Sequence, residues 1–289
     1  MEDHILRGLA FNDEVRFFAA YTKNLCEESR NIHGTSPICT AALGRLLTAG
    51  AMMGAMCKND TDLITIQIKG DGPAKGLTVT ADAHANVKGI IYNPIVTLPA
   101  NEAKHLNVGG AVGRGSLSVI KDIGLKDPYV GQTQLVSGEI AEDLTYYFAV
   151  SEQIPTSVGL GVLMTKENTV EHAGGFIIQL LPFASNETVN LLEERLGKVK
   201  SVTDFFKEGK TVEEMMKEIL GDDMRIEDKI PTRYKCNCSR ERVKKALISI
   251  GKKEIESMVE EGKPVSLNCD FCNTSYTFEI DELKEILAK

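Results

Sequence analysis

The chain has 289 residues and a formal charge of -8, with 33 Lys and Arg against 41 Asp and Glu. That length can bury a sizeable core and predicts two domains, while the acidic balance argues against general affinity for nucleic acid or an anionic membrane. Glu2 and Asp3 run straight into Ile5 and Leu6 with no secretory pattern, so the expected compartment is a reducing cytoplasm, where seven cysteines point to metal or redox chemistry and not to a disulfide scaffold.

Ile5 to Phe11 predicts a first strand and Asp13 to Ser29 a helix, with Cys26 at its surface or at the core edge. Ser36-Pro37 starts a second helix: a hydroxyl cap, then a proline whose missing N–H costs nothing there. The run Pro37 to Cys57 is rich in Ala, Leu, Gly and Met but holds Arg45 near its middle. It reads as a central buried helix and not as a membrane span.

Ile64, Ile66 and Ile68 alternate with polar residues, as do Leu77, Val79 and Ala81. This is the signature of half-buried strands. Gly70-Asp71-Gly72-Pro73 is the turn between them. It lacks the Gly-Lys-Ser/Thr ending of a phosphate loop. Further strands are predicted at Val87 to Tyr92, Leu117 to Lys121, after Gly131, at Val158 to Met164 and at Gly175 to Leu181. The glycines at 109, 110, 113 and 115 predict a flexible loop. Gly138 to Gln153 has helical spacing, with Glu139, Glu142 and Asp143 as its polar face. Short turns between successive strands imply an antiparallel sheet with helices laid on it, an α+β domain over residues 1–182.

From Ser185 to Asp228 charge density rises and short amphipathic helices are expected, giving a helical linker over 183–231. Ser185 or Asn186 caps one helix; Thr211 with Glu214 forms a capping box that Gly221 ends. Residues 232–289 form a small last domain: a helix capped by Ser239, a second from Lys253 to Glu261, a turn at Cys269 to Cys272, a strand and a final helix.

Cys236-Asn237-Cys238 and Cys269-Asp270-Phe271-Cys272 are two thiol pairs joined by a helix-sized spacer, the arrangement that a tetrahedral metal such as Zn2+ prefers. A domain this small has little core, so its folding is expected to depend on the metal. Arg233, Lys235, Arg240 and Arg242 flank the first pair and would favour thiolate. Thiolates are also what oxidants attack, and each pair is close enough in sequence to close a disulfide, which cannot serve as two thiolate ligands. A purely structural zinc module is the plainer reading of the same spacing. A zinc-dependent thiol oxidoreductase using Cys269 and Cys272 is another, weakened by the absence of a thioredoxin-like strand-to-helix context.

The Cys-x-Cys and Cys-x-x-Cys pairs resemble those of the redox-regulated heat-shock protein 33 family, the 33-kDa chaperonin of bacteria. So do Tyr276 and Phe278 and, in the core, Gln67 to Pro73, Asn93-Pro94, Ser137 to Leu144, Ser151 to Gln153 and Ala173 to Pro182. The resemblance implies a stress-response holdase chaperone, with no enzymatic activity, that binds unfolded client proteins without ATP. It implies that the reduced, zinc-bound form, with Cys236, Cys238, Cys269 and Cys272 as ligands of one ion, is inactive and monomeric. By position, oxidation pairs Cys236 with Cys238 and Cys269 with Cys272, releases zinc, unfolds the tail and gives an active form that is often a homodimer. His4, His33, His84, His105 and His172 are scattered without metal spacing, and Cys26, Cys39 and Cys57 read as core thiols. No catalytic residue is assigned.

Overall fold

In the computed structural model of the chain, residues 1–287 are described. Two compact units divide it: Met1–Lys235, and a second that begins at Cys236.

In the first unit the chain runs β1 (His4–Ala10), β2 (Val15–Tyr21), α1 (Lys23–His33), α2 (Pro37–Gly54), β3 (Leu63–Gly70), β4 (Leu77–Asp82), β5 (Asn86–Ile91) and α3 (Val108–Val112). It continues through β6 (Gly115–Asp122), β7 (Tyr129–Gln134), α4 (Ala141–Tyr147) with a π-helical turn to Glu152, β8 (Thr156–Met164) and β9 (Val170–Leu180). It ends with α5 (Asn186–Leu196), α6 (Val202–Lys207), α7 (Val212–Leu220), β10 (Arg225–Pro231) and β11 (Arg233–Tyr234). One sheet has the order β10-β1-β2-β9-β8, the other β11-β5-β4-β3-β6-β7. Every pairing is antiparallel except the two-residue contact of β11 with β5.

Helix α2 lies between the sheets, which explains why its sequence is apolar all round: every residue except Pro37 and Arg45 is buried. Ile5, Phe18 and Ile177 of one sheet and Ile66, Val79 and Val119 of the other share its core. A Cβ at Gly50 would lie 2.6 Å from Val79, and one at Gly54 2.5 Å from the Asp82 carbonyl. The helix therefore approaches the second sheet at a distance that only glycine allows. No described helix is long and apolar enough to cross a membrane.

The other face of the first sheet carries a second core. Leu6, Phe17, Tyr21, Phe176 and Ile178 meet Leu192, Phe205, Phe206, Met215, Met216 and Ile219 from α5, α6 and α7. Two predicted caps hold: Ser185 accepts from the Thr188 N–H, and Thr211 and Glu214 exchange bonds at the start of α7; the Ser36 hydroxyl does not cap α2 but bonds the backbone of Val96.

Four expectations are corrected. Asp13 to Ser29 is not one helix but strand β2 followed by helix α1. Both faces of β2 are covered, so its side chains are apolar on both sides and the strand alternation disappears. The glycine-rich loop contains helix α3, started by the Asn107 side chain on the Gly110 N–H. The charged end of the connector, Arg225–Pro231, is strand β10 on an exposed sheet edge, where charges and proline discourage further pairing. Asp143 is fully buried and accepts the backbone N–H groups of Val136, Ser137, Gly138 and Ile140, so it does not belong to a polar helix face.

That carboxylate also holds Ile140, a β-branched residue, at φ 74°. Asp143→Ala strands four donors, of which those of Gly138 and Ile140 are buried, each worth about 1–3 kcal/mol when buried and unpaired. The expected outcome is a loss of at least about 2 kcal/mol in denaturant unfolding of the first unit. A loss below about 1 kcal/mol would show that water replaces the carboxylate freely.

The second unit contains α8 (Arg240–Ser249), α9 (Lys252–Glu260), the hairpin β12 (Val265–Asn268) and β13 (Ser275–Phe278), and α10 (Ile280–Leu287). Its buried apolar residues, among those described, are Leu247, Ile255, Phe278, Leu283 and Ile286. That is a small core for a unit that must fold.

Candidate metal centre

Local chemistry shapes both cysteine turns. The Ser239 hydroxyl accepts the Arg242 N–H and starts α8 directly after Cys238. Between β12 and β13 the Cys269 carbonyl accepts the N–H groups of Cys272 and Asn273 at 3.2 and 2.8 Å, and the Cys269 N–H returns to the Thr274 carbonyl at 2.9 Å. Asn273 sits at φ 56°, a left-handed position that asparagine tolerates.

These turns bring the Sγ atoms of Cys236, Cys238, Cys269 and Cys272 within 4.8 Å of one another. Cys236 lies 3.7 Å from Cys269 and Cys238 3.4 Å from Cys272. A tetrahedron of sulfurs around a metal at about 2.3 Å has edges of about 3.8 Å, so this cluster can hold one ion such as Zn2+ with little movement. All four are half-buried, within reach of small oxidants and chelators. Among the described residues no other group of three or more His, Cys, Asp or Glu side chains is this tight, and the five histidines take no part.

Burial pushes the Cys236 thiol up to about 12, helped by the neighbouring sulfurs. Burial also raises Cys269. At Cys272 burial acts the same way, but hydrogen bonding from Thr274 and the other sulfurs outweighs it, and the thiol falls to about 7. The chain's own hydrogen bonds thus ease one thiolate in the cluster, and a cation held by the four sulfurs would stabilise the others.

Two of the flanking basic residues are held by the fold of the tail. The Arg240 guanidinium bonds the Thr277 carbonyl and Glu282 and stacks over Phe278, and Arg242 bonds the Asn237 carbonyl. They brace the fold of the tail. Sequence reasoning also left Tyr276 without a role, although its hydroxyl lies 3.1 Å from Cys238 Sγ. The hydrogen bond to Cys238 raises the tyrosine to about 12, so the phenol keeps its proton and can donate it to the sulfur. The signal was its period-two position on the strand after the second pair. Groups that support a metal ligand are typically worth 10- to 100-fold in affinity. Tyr276→Phe is expected to weaken metal binding by about tenfold against a competing chromogenic chelator, with the hairpin intact.

The core thiols behave as read. Cys26 is buried against the Gly44 carbonyl and pushed up to about 12, and burial raises Cys39 and takes Cys57 to about 11.

The family profile described as Hsp33 protein matches residues 3–279. The chain belongs to the Hsp33 family. It is 56% identical over 290 residues to the 33 kDa chaperonin of Lachnoclostridium phytofermentans, covering 100% of this chain and 99% of that one. It is 54% identical to the 33 kDa chaperonin of Agathobacter rectalis, covering 99% and 100%. A crystal structure of the 33 kDa chaperonin from Thermotoga maritima superposes with a TM-score of 0.92 at 37% identity, covering 100% of this chain and 98% of that one. Hsp33 relatives are thus named as chaperones, a non-enzymatic role. The expected α+β architecture with antiparallel sheets is the one observed.

Proposed function

We propose that this chain is an ATP-independent holdase whose activity is switched by oxidation of its four-cysteine centre. The carrying observation is a cluster of four sulfurs, spaced for one tetrahedral ion, in a unit with five buried apolar residues among those described. Zn2+, when bound, would hold the sulfurs as thiolates and tie the two turns together. Cys236, Cys238, Cys269 and Cys272 are the proposed ligands; Tyr276 and Thr274 orient two of them.

On oxidation, each pair of thiolates gives two electrons to a peroxide, which takes up two protons and leaves as two waters while one S–S bond forms. Pairing Cys236 with Cys238 and Cys269 with Cys272 leaves no thiolate to hold a metal. All four sulfurs lie within 4.8 Å of one another, so pairing within each turn needs little movement of the thiols.

The chain then carries the loosening backwards. Cys236 follows Tyr234, whose hydroxyl bonds the Gly89 backbone and His33. Before it come β10, an exposed and charged strand, and then α5 to α7. In this reading residues 1–182 are the chaperone core, 183–231 the releasable linker and 232–289 the switch. Release of α5 to α7 would bare the apolar face of the first sheet, which suits binding of unfolded clients of any sequence. The active form is proposed to be a homodimer and the reduced form a monomer, in the cytoplasm.

The test measures light scattering by a heat-unfolding client with reduced chain and with peroxide-treated chain, alongside metal content and disulfide mapping. Suppression only after peroxide, with metal lost and both pairs oxidised, is expected. Equal behaviour of the two forms would reject the switch.

A further inference from the structure

The two sheets of the first unit present four edges, and three are short, charged or shielded from solvent. Strand β10 carries Arg225, Glu227, Asp228, Lys229 and Pro231. Strand β11 is two residues long, and the Tyr234 hydroxyl takes up the N–H and carbonyl of Gly89 beside it. Strand β8 gives its Val158 N–H to Thr145 of α4, and none of its residues is fully exposed. Short length, charge, proline and cover are the devices that keep sheet edges from pairing. Strand β7, Tyr-Val-Gly-Gln-Thr-Gln, has none of them: no charge, no proline, and four of its six residues exposed.

The phase of the ladder identifies its free groups. The Leu135 N–H bonds the Gly115 carbonyl, and on the far side of β6 the Asp71 N–H bonds the Arg114 carbonyl. With the register Leu117↔Thr133 and Val119↔Gly131, both bonds give one answer. Tyr129, Gly131 and Thr133 point their backbone groups at β6; Val130, Gln132 and Gln134 point theirs away from the sheet. Among the described residues nothing bonds those three N–H groups. Ile123, Leu125, Tyr129 and Val130 are exposed beside them.

We propose that β7 is a docking edge for an extended segment of unfolded polypeptide, which adds to the six-stranded sheet as a seventh, antiparallel strand. The proposal rests on the chaperone reading and gives it a site. A row of alternating backbone donors and acceptors is matched only by another extended backbone, and it reads no side chain. An uncharged strand sets no charge preference, so segments of varied sequence fit. The exposed apolar residues at its Tyr129 end favour clients with apolar side chains. The edge is open in the folded chain, but a single strand of contact is too little to hold a client until linker release adds area to it.

The experiment uses the full-length chain, reduced and oxidised, and a short fluorescein-labelled peptide of alternating valine and threonine with terminal lysines. Its twin carries N-methyl groups on alternate residues, which removes strand pairing and keeps the side chains. Fluorescence anisotropy should show the unmethylated peptide binding about tenfold tighter, one factor of ten in Kd being a modest gain for strand addition. Gln132→Pro removes one outward N–H at a position where an edge strand tolerates proline. It should erase the difference while metal content and melting temperature stay unchanged. Equal binding of the twins to the unaltered chain overturns the proposal, whatever the variant does to folding. So does self-association through β7 that excludes the peptide, which would assign the edge to a second copy. Failure of the oxidised chain in the scattering assay, with the twin difference intact, would sink the holdase switch and leave the edge standing.

Discussion

Removing the metal from the reduced, metal-loaded chain with a strong chelator will unfold the unit that begins at Cys236 and leave Met1–Lys235 folded. Structural zinc sites in small domains contribute roughly 10–16 kcal/mol of apparent free energy. A whole ordinary domain is stable by only about 5–15 kcal/mol. With Leu247, Ile255, Phe278, Leu283 and Ile286 as its buried residues, the second unit cannot replace a loss of that size. The first unit keeps two cores that contain none of the four cysteines of the centre. Hydrogen exchange read peptide by peptide should show α8, α9 and α10 losing protection on chelation while α2 and β3 keep theirs. Retained protection in α8 to α10 would mean that the sulfurs decorate a fold that stands without them.

The second large effect concerns the linker. Phe206 is buried at 2% exposure between α6 and the first sheet, edge-on to Tyr21 with ring centroids 5.1 Å apart. Phe206→Ala is expected to cost about 3–5 kcal/mol. Helix α6 has six residues and no independent stability, so the loss falls on the layer formed by α5, α6 and α7. The reduced variant, still metal-bound, should therefore suppress client aggregation to a measurable degree without peroxide, and α5 to α7 should exchange faster than α2. Leu47→Ala, in the core between the two sheets, controls for general destabilisation. If both variants are equally silent in the reduced state, uncovering the first sheet is not what makes the chain a holdase.

Local chemistry was legible wherever a few neighbouring residues decide the backbone. Ser185, Thr211 with Glu214, and Ser239 each cap a helix as predicted, and Pro37 begins one although the Ser36 hydroxyl turns to Val96 instead. The Ile64 and Leu77 alternations became β3 and β4 because each has one wet face. Val15 to Tyr21 misled because α2 covers one side of that strand and α5 to α7 the other. Asp143 looked like a solvated carboxylate, since nothing local reveals that four N–H groups converge on it.

Residue type and spacing alone determined that four thiols can meet around one ion in a tail with little core of its own, because ligand chemistry and domain size are properties of the chain itself. Only the tertiary structure decided which sheet face the linker helices cover, that Tyr276 reaches Cys238, and that β7 is the edge left open. Those depend on which strands become neighbours, and strand pairing joins residues far apart in sequence by backbone bonds that carry no record in the side chains.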